Sequence, residues 1–176
     1  MNIVYFDLET QKSADEVGGW GNKHLMRVSI GVTYSSTEDR FKVFEENDMT
    51  ELIAELKQAD LVIGYNIIGF DYPVLSYYTA FDFSTLPTRD LMVDLKKNMG
   101  IRLKLDNVAQ TTLQLGKSAS GLDALEWFHQ GEFAKIALYC KEDVRITRDV
   151  HLFGQQNRFV CYTDQNNQIK KTPVDW

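Results

Sequence analysis

Apolar positions in this chain follow two periods, and the change from one to the other outlines the fold. The segments IVYFDLE (3 to 9), RVSIGVTYS (27 to 35) and RFKVFE (40 to 45) read as strands, and the polar STEDR joins the last two as a hairpin loop. The chain is predicted to open as an antiparallel meander. TELIAELKQA then carries Leu52, Ile53 and Leu56 at helical spacing behind an N-cap at Asp48 or Thr50, and DLVIGYN returns as a short apolar strand. A helix followed by a strand signals a crossover onto the same sheet. FDYPVLSYYTA is predicted helical from about Asp71, with Pro73 in the first turn, where its missing N–H is harmless, and TRDLMVDL reads as the fifth strand.

Beyond that point the period is helical. LDNVAQTTLQ, GLDALEWFH and the long EFAKIALYCKEDVRITRDVHLF each keep an apolar stripe, and RFVCYTDQNNQIKKTPVDW closes as a small hairpin turned by DQNN. No repeat or low-complexity linker divides the chain. The expected organisation is one domain over residues 1–154 and a C-terminal tail over 155–176, with the boundary near Gly154. The pattern predicts an α/β layer with a central mixed five-stranded sheet, antiparallel meander first and parallel strands after, flanked by helices. A site is expected where strands end and helices begin.

Composition narrows this picture. With 176 residues, 44% of them hydrophobic, the chain can bury one sizeable core. No run of 18 apolar residues spans a membrane, and the N-terminus lacks the basic and apolar segments of a secretory leader, so the expectation is a soluble cytoplasmic protein with no membrane role. Cys140 and Cys161 show no metal-ligand spacing and are expected to be ordinary reduced residues. A net charge of −6 argues against strong non-specific affinity for a polyanion. Local patches still count, and LKKNMGIRLKL brings together Lys96, Lys97, Arg102 and Lys104, a cluster that alone reads as a solvated face.

The candidate chemistry begins where the first strand ends. Asp7 and Glu9 stand two residues apart, so they project from the same side of a strand, and two like charges held that close repel. Openness to water, protonation of one acid or a cation between them would relieve the repulsion. D-x-E is common in so acidic a chain and says little alone. A second signal is NIIGFD, where Asn66 closes a strand and Phe70 and Asp71 open a helix; Asp71 is either a plain first-turn acid or a carboxylate aimed at the open end of the sheet. The third is YCKED, which sets Tyr139 and Asp143 on one helical face. Tyr78 and Asp82 share that spacing but straddle the end of a short helix.

Together, in this order and these contexts, the three motifs resemble the DEDD superfamily of 3′ to 5′ exonucleases, which have a ribonuclease H-like fold. The tyrosine-bearing branch, with the proofreading domains of family B DNA polymerases and ribonuclease D, is the more similar. The histidine branch would place a His five residues before the last acid, and position 138 is Leu. The resemblance covers roughly residues 3 to 150, and RLKLDNVAQTTLQLGKSASG is similar to the region between the second and third motifs. Similar domains occur beside helicases.

The resemblance implies that Asp7, Glu9, Asp71 and Asp143 are ligands of two divalent cations, Mg²⁺ or Mn²⁺, and that Tyr139 sits beside the attacking water. It further implies that Thr10 reaches the terminal sugar and Asn66 positions backbone or substrate. Phe70 either packs on the last nucleotide or anchors the core; Lys117 either meets a phosphate or is a solvated loop lysine. Asp94 lies outside the motifs. The expected activity is stepwise hydrolysis from the 3′ end of a single-stranded nucleic acid, with DNA favoured and RNA left open, and with a helicase or polymerase as partner. Two alternatives share the fold. One is a weakly catalytic module that binds nucleic acid or docks on a helicase or polymerase, against which the four acids and Tyr139 speak; the other is an endonuclease, which usually lacks the YxxxD helix.

Overall fold

The computed structural model describes residues 1–115 and 121–176. Its centre is a five-stranded sheet in the order β3-β2-β1-β4-β5, built from β1 (Ile3–Thr10), β2 (Val28–Ser35), β3 (Arg40–Glu45), β4 (Leu61–Gly64) and β5 (Thr88–Asp90). β1 runs antiparallel to β2 and β2 to β3, whereas β4 lies parallel to β1 and β5 parallel to β4. The meander followed by parallel strands is the mixed α/β architecture that the sequence pattern predicts.

Alternation along β1 sorts its side chains onto two cores. Val4, Phe6 and Leu8 pack with Leu52 and Leu56 of α1 (Met49–Gln58) and with Val74 and Leu75 of α2 (Asp71–Leu75). Tyr5 faces the opposite layer, where Ile136, Cys140 and Val144 of the long α6 (Phe133–Asn157) cover the sheet together with α4 (Leu105–Leu113) and α5 (Gly121–His129). Asp7 and Glu9 share the face of Tyr5, so they look toward α6.

One predicted element changes type. TRDLMVDL is a strand only over Thr88–Asp90, and Leu91–Met99 is a helix, α3. The Asp90 side chain accepts from the backbone N–H of Met92 and Val93, which caps the helix, and Leu91, Met92 and Leu95 then share one buried face. Capping decided what a short apolar run left ambiguous.

The tail forms β6 (Phe159–Thr163) and β7 (Ile169–Pro173), an antiparallel hairpin. It packs into the α6 layer through Val160, Val174 and Trp176, and Thr112 of α4 exchanges hydrogen bonds of 2.9 Å with the backbone of Cys161. α6 runs through Gly154 to Asn157, and a Cβ on Gly154 would stand 2.4 Å from the Trp176 ring, so only glycine permits that approach. Trp176 also stacks on buried His151, whose Nδ1 lies 2.9 Å from the Tyr5 hydroxyl. Among the described residues no helix is long and apolar enough to cross a membrane.

Candidate active site

The acids meet because β1 outruns its parallel neighbour. β4 pairs with β1 at Ile3, Val4 and Tyr5, so beyond Tyr5 that edge of β1 has no strand beside it among the described residues. Asp71 takes the vacant place: its Oδ1 accepts the Leu8 N–H at 3.1 Å. An acid at the first position of α2 thereby substitutes for a missing strand partner and is buried at the end of the sheet.

The turn that delivers Asp71 is held from below. Asn66 adopts a left-handed backbone with φ 69°, and its carbonyl accepts from the N–H groups of Gly69 and Phe70. Asp90 grips the same turn, accepting from Asn66 N–H at 2.8 Å and Ile68 N–H at 3.0 Å while capping α3. Sequence reasoning passed over Asp90 and weighed Asp94 instead, which is engaged by Arg89 and Lys97. The available signal for Asp90 was a capping acid immediately before a helical apolar set.

From above, α6 supplies Asp143. Carboxylate oxygens of Asp7, Glu9 and Asp143 lie within 4.8 Å of one another. Asp71 stands outside that tight group yet lines the same cavity of about 660 Å³, which also has Thr10, Asn66, Phe70, Trp20 and Lys104 in its walls. Tyr139, one turn before Asp143, hydrogen-bonds the Asp143 carboxylate and packs edge-on against Trp127 at 6.1 Å. Cys140 is buried and donates to the Asp7 carbonyl at 3.4 Å, with the Asp7 carboxylate at 3.6 Å; both cysteines are free. That contact between Cys140 and Asp7 was not legible in the sequence.

The smaller sequence candidates fall as follows. Thr10 is buried, and its hydroxyl donates to the Lys12 carbonyl. Phe70 is half-buried at the rim, edge-on to Trp20 at 6.3 Å. Lys117 lies outside the described residues. The decoy pair is separated: the Tyr78 hydroxyl accepts from Val28 N–H and donates to Glu46, and Asp82 caps a short 3-10 turn. The basic segment also divides, since Lys97 pairs with Asp94, Lys104 enters the acid cavity, and Lys96 and Arg102 line a neighbouring one.

The electrostatics of the cluster are unbalanced. Burial pushes Asp7 and Glu9 well above the carboxylate range, and the neighbouring acids push them further. Burial also raises Asp71 to about 8, against the Leu8 N–H, and Asp143 to about 7, against the Tyr139 hydroxyl. The arginines on α6 are committed elsewhere, Arg145 to Glu142 and Asp149, and Arg148 to Asp149. The three carboxylates form an all-oxygen donor set that fits a hard divalent ion rather than zinc, which prefers nitrogen and sulfur ligands. Burial and the adjacent carboxylates drive the Tyr139 phenol far above its ordinary range, so it holds its proton.

Comparison with known proteins adds a family and a fold. A family model described as RNase_H superfamily matches residues 4–152. Among solved structures, E. coli exonuclease I in complex with a 5cy-dT13 oligonucleotide is similar, with a TM-score of 0.50 at 13% identity. That likeness covers 89% of this chain and 40% of the exonuclease I chain, so the present chain spans well under half of that protein. No curated protein matches the chain.

Proposed function

The chain belongs to the RNase H superfamily, and from that premise we propose that it is a metal-dependent 3′ to 5′ exonuclease of the tyrosine-bearing DEDD branch, acting on single-stranded nucleic acid, DNA in preference to RNA. The observation that carries this reading is the convergence of Asp7, Glu9 and Asp143 within 4.8 Å, with none of the three in an ion pair among the described residues, in the wall of one cavity. The similar exonuclease I, bound to an oligonucleotide, agrees with it in fold.

In this proposal residues 1–154 are the catalytic unit and the 155–176 hairpin buttresses α6. Asp7, Glu9 and Asp143 would hold divalent cations, Mg²⁺ or Mn²⁺, with Asp71, fixed by the Leu8 N–H, as a fourth carboxylate. Bound there, such ions supply an acidified water and charge stabilisation of the departing 3′ oxygen. The chain's own groups do the rest. Tyr139, protonated and anchored on Asp143, orients the water rather than acting as its base. Thr10 reaches the terminal sugar, Asn66 positions backbone or substrate, and Phe70 packs on the last nucleotide, an arrangement tolerant of sequence. A helicase or polymerase partner would supply affinity that a net charge of −6 does not.

The test uses 5′-labelled single-stranded DNA and RNA with Mg²⁺ or Mn²⁺, beside the same strands blocked at the 3′ end. A ladder shortening from the 3′ end, abolished by chelator and by the block, is the expected result. Internal cuts indifferent to the block would make the protein an endonuclease, and binding without cleavage would make it a docking module.

A further inference from the structure

A second cavity, of about 460 Å³, adjoins the acid cavity, and the two share Trp20, Asn66 and Phe70 in their walls. Its chemistry is opposite. Lys23, Lys96 and Arg102 line it and no carboxylate does, in a chain whose net charge is −6. Among the described residues none of these three cations forms an ion pair; the nearest acid on α3, Asp94, is engaged by Arg89 and Lys97.

Local structure directs each group there. Trp20 and Lys23 flank a kink at Asn22 in the 3-10 segment Trp20–Met26 and line the same cavity, and the segment is pinned by buried Met26 and by the Asn22 side-chain bond to Val17 O. Lys96 lies in the last turn of α3. Gly100, at φ 73°, ends that helix in the left-handed region and folds the chain back, and the Tyr65 hydroxyl holds the returning segment by donating to Leu103 O at 3.0 Å. Arg102 is thereby brought beside Lys96. Trp20 is 65% exposed, a large aromatic surface left in water at the mouth shared by both cavities.

Three cations with no ion pair among the described residues, beside exposed Trp20 and half-buried Phe70, match a strand of nucleic acid, whose phosphates need cations and whose bases need flat apolar faces. Resting on the exonuclease reading, we infer that the 460 Å³ cavity is the upstream strand subsite: with the terminal nucleotide over the acids and beside Phe70, the preceding nucleotides run on across Trp20, which stands edge-on to Phe70, and set their phosphates on Lys23, Lys96 and Arg102. The acidic chain therefore carries a local basic path that leads to its acid cluster.

Binding of 5′-fluorescein-labelled (dT)10 by fluorescence anisotropy, in chelator so that no turnover occurs, tests this path. Lys96→Glu/Arg102→Glu should weaken binding by about ten-fold or more and flatten the dependence of log K on log salt by about 1.4, at about 0.7 per lost phosphate contact on a single strand. Trp20→Ala should weaken binding by roughly ten-fold while leaving that slope unchanged. Lys57→Glu/Lys170→Glu, with the same formal charge change on α1 and the hairpin, should bind like wild type, and thermal melts check that all variants are folded. Equal binding by wild type and Lys96→Glu/Arg102→Glu, or no binding of (dT)10 by wild type, overturns the subsite. Hydrolysis of p-nitrophenyl thymidine 5′-phosphate with Mn²⁺ separates the two readings. If wild type leaves that ester and (dT)10 uncut while the charge reversal still weakens binding, the exonuclease reading fails and the path stands; if (dT)10 is cut but the reversal changes nothing, the path fails and the exonuclease reading stands.

Discussion

Asp90 and the trio Asp7, Glu9 and Asp143 are buried or half-buried carboxylates at the C-terminal end of one sheet, and they meet opposite fates. Asp90 accepts four backbone N–H groups, from Asn66, Ile68, Met92 and Val93, and closes a turn and a helix with them. The trio face each other. Among the described residues Asp7 receives the weak Cys140 thiol and Asp143 the Tyr139 hydroxyl. Burial raises the Asp90 carboxyl while its donors pull it back, whereas in Asp7 and Glu9 burial and the neighbouring charges push the same way. A carboxylate that serves the fold is paired by the fold, whereas these three face one another.

The comparison breaks if the two groups respond alike to substitution. Asp143→Ala should lower strand cleavage at saturating Mg²⁺ by about a thousand-fold or more, because a lost ligand removes several kcal/mol of transition-state stabilisation, while chelator-treated protein melts no lower than wild type. Single-turnover rates beside melts in chelator check both halves. Tyr139→Phe should slow the same step by about a hundred-fold, the scale of a group that positions a proton, and an unchanged rate would leave the tyrosine a packing residue only. Asp90→Ala should do the reverse of the acid variants. Four N–H groups lose their acceptor and α3 its cap, a cost of about 2–4 kcal/mol in urea unfolding that divalent metal does not restore.

The trio's half of this contrast was legible before the structure, and the illegible half has a physical reason. Alternation placed Asp7 and Glu9 on one face and helical spacing placed Tyr139 and Asp143 on another, because both periods are local. Asp71 was found as part of a motif, but its bond to Leu8 N–H depends on where β4 stops, which the sequence pattern does not state. Asp90 sat inside TRDLMVDL, where a run of apolar residues looked like strand and only the capping bonds show helix. Cys140, ordinary in sequence, touches Asp7 across 133 positions. Trp20 lies in a glycine-rich stretch with no period at all, and tertiary placement alone gives it a role.

A smaller effect sharpens the same comparison through pH. Asp71 and Asp143, with folded values of about 8 and about 7, lie above the ordinary carboxylate value near 4. In chelator the folded state therefore binds protons that the unfolded state has released, so this stabilisation is complete below about pH 4 and is lost as pH rises through 7 and 8. Melts in EDTA should fall between pH 5 and pH 8, and Asp143→Asn should flatten the decline.

The most direct measurement of the central claim is thermal stability of wild type and Asp7→Asn at pH 8, in EDTA and with excess Mn²⁺. Removing one of the facing charges should make Asp7→Asn the more stable protein in EDTA. Mn²⁺ at a hundred times its dissociation constant should stabilise wild type by about 2.7 kcal/mol and the variant by much less. A wild type indifferent to Mn²⁺, or an Asp7→Asn that is the less stable in EDTA and gains as much from the metal as wild type, would contradict the account.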